Sequence, residues 1–268
     1  MSTLIRSTML CAHRVRRWLG LFGKNAEDAK GLKCQWALRT IFLALLVTMF
    51  CSGAAGQSQT PVTGTEFWPE ADAHIELPLN FRVLAFGGLQ QGAGFPYQQQ
   101  YLAAGLGYQF KPILKSHFEN IDPDKEHHLV VGGGYEFFRT IQSGKTKDER
   151  RLIFEAIPGF RPSSRFLVRD TNRVEFRWVN GVYSTRFRNK LRVERDFLFH
   201  GLRFTPYGYA EAFYDAAKNS WNQEYYSAGV EWPYKRFFML DTYYLRQACS
   251  TCKPAYANVG GLTLNFYF

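Results

Sequence analysis

This 268-residue sequence has no apolar run long enough to form a transmembrane helix. Ile41 to Phe50 is the apolar stretch of note, and it falls well short of the roughly 20 residues that a helix needs to cross a bilayer. Helical periodicity is also missing from Phe67 onward, which excludes a helical bundle. Cysteine is scarce: of five, Cys11, Cys34 and Cys51 lie in the first 56 residues, leaving Cys249 and Cys252 in the body. The chain lacks an interdomain linker and a long low-complexity tract, so the body reads as one domain. Recognisable reaction motifs are missing too. Gly144-Lys145-Thr146 looks like the end of a phosphate-binding loop, but Arg139 stands where the first glycine belongs and no strand-to-helix context follows. His127 and His128 are adjacent, so on a strand they point to opposite faces and cannot share a metal.

What is present begins with a leader. Arg6, Arg14, Arg16, Arg17, Lys24, Lys30, Lys33 and Arg39 precede the apolar run, and Ser52-Gly53-Ala54-Ala55-Gly56 follows it. A basic segment, an apolar core and small residues before Gln57 predict a signal peptide over residues 1–56. A membrane anchor is the competing reading, disfavoured by the short run. A lipoprotein is disfavoured because Phe50, not a small residue, precedes Cys51. The leader holds 8 of the 33 Lys/Arg and 2 of the 23 Asp/Glu, so the remainder carries a charge of about +4 in place of +10. With the basic excess mostly in the leader, a nucleic-acid partner loses its support. For an exported chain, the pair Cys249 and Cys252 predicts a disulfide in a tight loop. A zinc or redox site is the alternative, but zinc needs further ligands and the nearest histidine is His200.

The body breaks into runs of about 9 to 13 residues, the length of tilted barrel strands. Twelve are predicted, at 67–77, 80–89, 99–110, 126–138, 149–157, 164–170, 172–180, 186–197, 203–214, 221–232, 236–247 and 257–268. An even count suits a single-chain bacterial barrel. Lys111 to Lys125 and Thr140 to Asp148 read as polar loops, and Asp170-Thr171-Asn172 and Pro233-Tyr234-Lys235 as tight turns. Alternation is clearest around Asn180-Gly181. Arg173, Glu175 and Arg177 share one face against Val174, Phe176 and Trp178; Arg186, Arg188, Lys190, Arg192 and Glu194 oppose Phe187, Leu191 and Val193. The first run likewise sets Glu70, Asp72, His74 and Glu76 against Ala71, Ala73, Ile75 and Leu77. A soluble sheet would turn its apolar face to a core, and a membrane barrel would turn it to lipid.

The chain end favours lipid. Leu262, Leu264, Phe266 and Phe268 share a face, and the last residue is aromatic. This resembles the C-terminal strand signal that the barrel assembly machinery of the outer membrane recognises, with Leu264, Phe266 and Phe268 as its residues. Residues 66–268 also resemble a family of bacterial outer-membrane barrels, domain of unknown function 2490. The likeness rests on Phe67-Trp68-Pro69-Glu70, on Arg169 to Arg177, on Arg186 to Glu194, on Pro206-Tyr207 with Glu211-Ala212-Phe213, and on the closing Phe. It implies a fold and an outer-membrane location and no activity. The expected class is therefore all-β: a single transmembrane antiparallel barrel of about twelve strands in outer-membrane lipid, after a short periplasmic segment at 57–65.

No cofactor or catalytic residue is expected. Ser163, Ser164, Ser184, Ser220 and Ser227 stand in no nucleophile motif, although an outer-membrane enzyme acting on lipid or a surface polymer is a third reading. Two readings divide the charged face of Arg173, Glu175, Arg177, Arg186, Arg188, Lys190, Arg192, Glu194 and Glu211. It lines a narrow diffusion channel for small anionic solutes, or it pairs with Glu155, Glu175, Glu194 and Glu211 as a lattice that fills the lumen.

Overall fold

A computed structural model describes residues 63–93, 97–116, 118, 120–252 and 254–268. The leader, and positions 57–62 of the segment expected to precede the barrel, lie outside the described residues. Positions 63–65 already belong to the first strand. The strands are β1 (Thr63–Leu77), β2 (Phe81–Ala93), β3 (Tyr97–Gln109), β4 (Leu129–Gln142), β5 (Lys145–Ser163), β6 (Phe166–Val179), β7 (Val182–Arg195), β8 (Phe197–Phe199), β9 (Leu202–Asp215), β10 (Ser220–Tyr234), β11 (Phe238–Cys249) and β12 (Tyr256–Tyr267).

The sheet closes on itself. Sequence neighbours pair in order from β1 to β7, β7 pairs β9, and β9 continues through β10 and β11 to β12, which returns to β1. The three-residue β8 pairs only with β9 and lies outside this ring, so the barrel wall has eleven strands. An odd ring of strands that alternate in direction cannot be antiparallel throughout. One pairing must be parallel, and it is β1–β12, in register from Thr63↔Tyr256 to His74↔Tyr267. Pro69, which has no N–H to give to a ladder, sits in this seam. Phe268 closes the other end: its N–H donates to the His74 carbonyl at 2.8 Å and its own carbonyl accepts from Glu76 at 2.9 Å.

The expected even number therefore fails, for a local reason. Asp170-Thr171-Asn172 carries turn-forming residues, yet β6 runs through it in unbroken register with β7. The Asp170 and Asn172 side chains both bond Asn189 of β7, and although Asn172 also donates to the Asp170 carbonyl at 3.4 Å, the strand is not broken. Thr140 to Asp148 is likewise no loop but the end of β4, the turn Ser143-Gly144 and the start of β5. Both residues of that turn have positive φ, as do Asn180-Gly181 and His200-Gly201, the backbone of the tight hairpin turn that matches strand twist. Because β1 and β12 are parallel, Thr63 lies at the rim opposite Phe268, and the two ends of the described barrel do not share a side.

Alternation sorts the wall into two faces. Tyr207 of β9 reaches Asp241 of β11, and Trp68 of β1 stacks edge-on against Tyr225 of β10. Contacts that skip a strand are possible only on the concave side, so these residues mark the interior. The interior is polar: Glu175, Glu194, Glu211, Glu231 and Arg186 are all buried. Outside, Phe67, Leu102, Phe154, Phe160, Phe187 and Leu191 are exposed. Such an inside-out distribution is stable only with lipid against the outer face, which makes this a transmembrane barrel.

Interior glycines make room for tyrosine rings. A Cβ on Gly261 would lie 1.9 Å from the Tyr243 ring, and one on Gly229 would lie 2.6 Å from Tyr207. Each ring thus covers a bare stretch of backbone across the strand. Gly261→Val is expected to expel Tyr243 and lower the heating temperature at which the barrel loses its compact gel mobility, whereas Gly260→Val, where a Cβ meets open space, leaves it nearly unchanged.

Candidate functional site: the charged interior

Period-2 alternation aims the charged residues of β4 to β7 at one volume, where they meet as a chain of ion pairs. Glu149 accepts from Nε of both Arg151 and Arg177 at 2.6 Å. Arg151 continues to Glu136 at 3.3 Å, and Arg173 links Glu136 at 3.5 Å to Glu155 at 2.7 Å. Glu175, at 0% exposure, is held by Arg186 at 2.6 Å and Arg188 at 2.8 Å. Arg188 also donates to Glu211 at 2.8 Å. Burying ions in this way carries a large desolvation cost, which is offset only if nearly every charge finds its counterion with good geometry.

Nearer the Phe268 rim the chain continues through Arg192, which bonds Glu194 at 3.0 Å and Glu231, with its guanidinium 3.7 Å from the Tyr207 ring centre. Here a residue from outside the wall enters. Lys125, in the segment between β3 and β4, bonds Glu194 at 2.8 Å and Glu231, and is 4% exposed. A short 3-10 turn at Pro123–Glu126 presents it, with the Asp122 side chain accepting from the Asp124 N–H. Arg82 of β2 grips the same segment through Asp122 at 3.0 Å and Asp124 at 2.5 Å. Arg161 donates to the Lys125 carbonyl, and Ser116 to Asp196. The segment from Phe110 to His128 is thus tied into the barrel mouth by charges from β2, β5, β7 and β10.

Its own charges respond. Burial alone would raise the Asp122 carboxyl, but Arg82 and Arg169 hold it well below the usual carboxylate range. Burial would lower the Lys125 ammonium, but Glu194 and Glu231 raise it.

Of the six cations in the expected ladder, Arg173, Arg177, Arg186, Arg188 and Arg192 each have a carboxylate partner. Lys190 has none within 4 Å among the described residues and lies over the Tyr209 ring, 5.5 Å from its centre. Several partners escaped sequence reasoning. Glu149 and Arg151 stand in phase on β5 and were open to the same alternation argument. Lys125, Asp122 and Asp124 carried no signal, since a polar loop that folds inward looks like one that does not. Elsewhere on the inner wall, carboxylates meet tyrosines two strands away: Glu70 of β1 accepts from Tyr101 of β3, and Asp241 of β11 from Tyr207 of β9 at 3.0 Å. A small cavity of about 90 Å³ remains along β2 to β5, beside inward Gly105, Gly132 and Gly134.

The remaining candidate residues lie elsewhere. Cys249 and Cys252 form a disulfide, with 5.3 Å between Cα atoms, at the rim opposite Phe268. Leu264, Phe266 and Phe268 face outward near the seam, and Phe266 packs on Phe238 at 5.4 Å. Among the described residues, no serine hydroxyl is hydrogen-bonded to a histidine ring: His74 meets Asn265 and Arg82, and His127 and His128 meet backbone carbonyls.

Glu175 is where the lattice is most sensitive. Glu175→Ala leaves Arg186 and Arg188 competing for what remains and is expected to cost about 3–5 kcal/mol in urea unfolding from micelles. Replacing the pair together, Glu175→Leu with Arg186→Leu, is expected to cost much less, because no buried charge is then left without its partner.

Comparison with known proteins adds a family. Among solved structures, the beta domain of the Bordetella autotransporter BrkA is similar at 13% identity, over 66% of this chain and 80% of that one, with a TM-score of 0.39. The KdgM porin, in complex with disordered oligogalacturonate, is similar at 10% identity, over 69% and 91%, also with a TM-score of 0.39. No curated protein matches. The family of proteins of unknown function DUF2490 matches residues 91–255. That match spans more than half of the chain, and the protein accordingly belongs to the DUF2490 family.

Proposed function

We propose that this protein is an outer-membrane barrel whose lumen is closed at rest, filled by the ion-pair lattice and stoppered by the segment from Phe110 to His128. The observation that carries this reading is Lys125, a buried cation from a connecting segment, locked between Glu194 of β7 and Glu231 of β10 while Arg82 of β2, on the far side of the ring, holds Asp122 of the same segment. On this reading residues 1–56 are the export leader. Leu264, Phe266 and Phe268 address the chain to the barrel assembly machinery, the Phe268 rim is periplasmic, and the outer face meets outer-membrane lipid. The arginines of β6 and β7 serve chiefly as lattice members.

The alternative, a narrow diffusion channel for small anionic solutes, keeps one supporting observation. Lys190 is an interior cation with no carboxylate within 4 Å among the described residues, on the same face of β7 as Arg188 and Arg192. The two readings separate in planar bilayers. Wild type is expected to show no steady conductance, and replacing residues 112–127 with a Gly/Ser linker to open ion flow. A standing, anion-preferring conductance in wild type, weakened by Arg188→Glu with Arg192→Glu, would overturn the closed-barrel reading.

The stopper also sets a pH dependence. A carboxyl held low contributes stability above its unfolded value and loses it as pH falls through the folded value; an ammonium held high loses its contribution only as pH rises through the folded value. For Asp122 and Lys125 these losses lie outside the ordinary Asp and Lys ranges, on the acid and alkaline sides respectively. The barrel is therefore expected to stay closed between about pH 5 and pH 9. Opening within that window, seen in the same recordings, would contradict the grip assigned to these two groups.

A further inference from the structure

Tyrosine rings cover bare backbone at three places on the inner wall. Tyr101 stands directly opposite Gly88, Tyr207 opposite Gly229 and Tyr243 opposite Gly261, and in each pair the tyrosine lies against the point that a glycine Cβ would take. Two of these rings end on an acid: the Tyr101 hydroxyl donates to Glu70, and the Tyr207 hydroxyl to Asp241 at 3.0 Å. Glycine, a ring over it and a carboxylate at the phenol end thus recur as a unit.

The unit is incomplete between β3 and β4. Gly105 pairs with Gly134 and Gly107 with Gly132, so glycine faces glycine and neither strand supplies a ring. The nearest atoms to a Cβ at any of the four are backbone, save the Val130 and Glu155 side chains. The cavity of about 90 Å³ stands over this floor. Leu84 and Ile153 flank the Gly105 and Gly134 pair, and Arg82 and Glu155 flank the Gly107 and Gly132 pair, so an apolar end passes into a polar one. Arg82 is engaged by Asp122 and Asp124. Glu155 keeps an acceptor in reserve: both of its bonds from Arg173 fall on Oε2, and Oε1 accepts none among the described residues. Apolar walls with one convergent polar group are the attributes of a small-molecule site.

We propose that this floor seats a small phenol from solution, with its ring over Gly105 and Gly134, between Leu84 and Ile153, and its hydroxyl donated to Glu155. The ligand completes the unit that Tyr101 and Tyr207 complete elsewhere, and a hydroxyl on a carboxylate makes a charge-assisted bond. Arg151 and Arg192 already set guanidinium groups over the Phe138 and Tyr207 rings, and Arg173, which lines the cavity, is placed to do so for the ligand. Size sets the limit. An apolar cavity of about 150 Å³ takes benzene, so the Glu155 and Arg173 side chains must draw back to admit one ring, and a fused second ring is excluded.

Fluorine NMR of 4-fluorophenol with the folded protein in micelles tests this, since uptake by detergent gives a linear response and the seat a saturable one. Wild type and Gly260→Val, whose Cβ meets open space, are expected to saturate alike. Gly107→Val, where a Cβ makes only ordinary contacts and the side chain fills the seat, is expected to abolish saturation. Leu84→Phe fills the same space from β2 and serves if the valine variant loses its heat-modifiable mobility. Glu155→Gln is expected to weaken binding about tenfold or more, the loss of one hydrogen bond to a charged group. Fluorobenzene, which lacks the hydroxyl, is expected to bind wild type more weakly by a similar factor. The seat does not rest on the closed-barrel reading, which conductance tests separately. Because Asp124 of the stopper lines the cavity, the variant with residues 112–127 replaced is measured too. No saturable response in either wild type or that variant, a response that survives both Gly107→Val and Leu84→Phe, indifference to Glu155→Gln, or fluorobenzene binding as well as 4-fluorophenol would overturn the proposal.

Discussion

Backbone pairing in hydrocarbon is the constraint on which the rest of this structure depends. A strand in lipid has no water to satisfy its N–H and C=O groups, so the sheet must close. With eleven strands it closes only through a parallel seam. The seam runs along β12, which also carries Gly261 under the Tyr243 ring on the inner wall and presents the outward Leu264, Phe266 and Phe268. Parallel pairing is slightly the weaker geometry, and the backbone of Phe268 adds two hydrogen bonds at its end. The terminal residue is thus part of the closure as well as a candidate recognition signal.

Closure brings ionised groups into a confined interior. Eleven tilted strands enclose more space than the eight whose side chains just fill a barrel, and here the excess is taken up by guanidinium and carboxylate groups and by the connecting segment that carries Lys125. Arginine suits such a lattice because its planar fork bonds two carboxylates at once, as Arg188 does with Glu175 and Glu211. Lys125 achieves the same at the mouth with a single ammonium between Glu194 and Glu231. Where arginines are absent, tyrosines meet the acids, and glycines opposite them leave room for the rings.

The faces of β1, β6 and β7 were legible in the sequence, because side-chain direction on a strand follows from position alone. The partners of the charges were not. That Arg192 would meet Glu231, or Arg173 meet Glu136, depends on the register of three successive wall strands, since each side chain reaches over the strand between, and alternation alone does not give that register. The count itself turned on Asp170-Thr171-Asn172, where local turn chemistry argued for a break that pairing with β7 overrides. The stopper was illegible for a different reason: nothing in Asp122-Pro123-Asp124-Lys125 distinguishes a loop that enters the lumen from one left in water.

An occluded interior is the central claim, and the reactivity of Lys125 reports on it most directly. In folded protein held in micelles, an amine-modifying reagent followed by mass mapping is expected to label the exposed Lys111 and Lys235 while sparing Lys125 until the barrel is unfolded. Labelling of Lys125 as fast as Lys111 in the folded protein would show an open mouth and contradict the account.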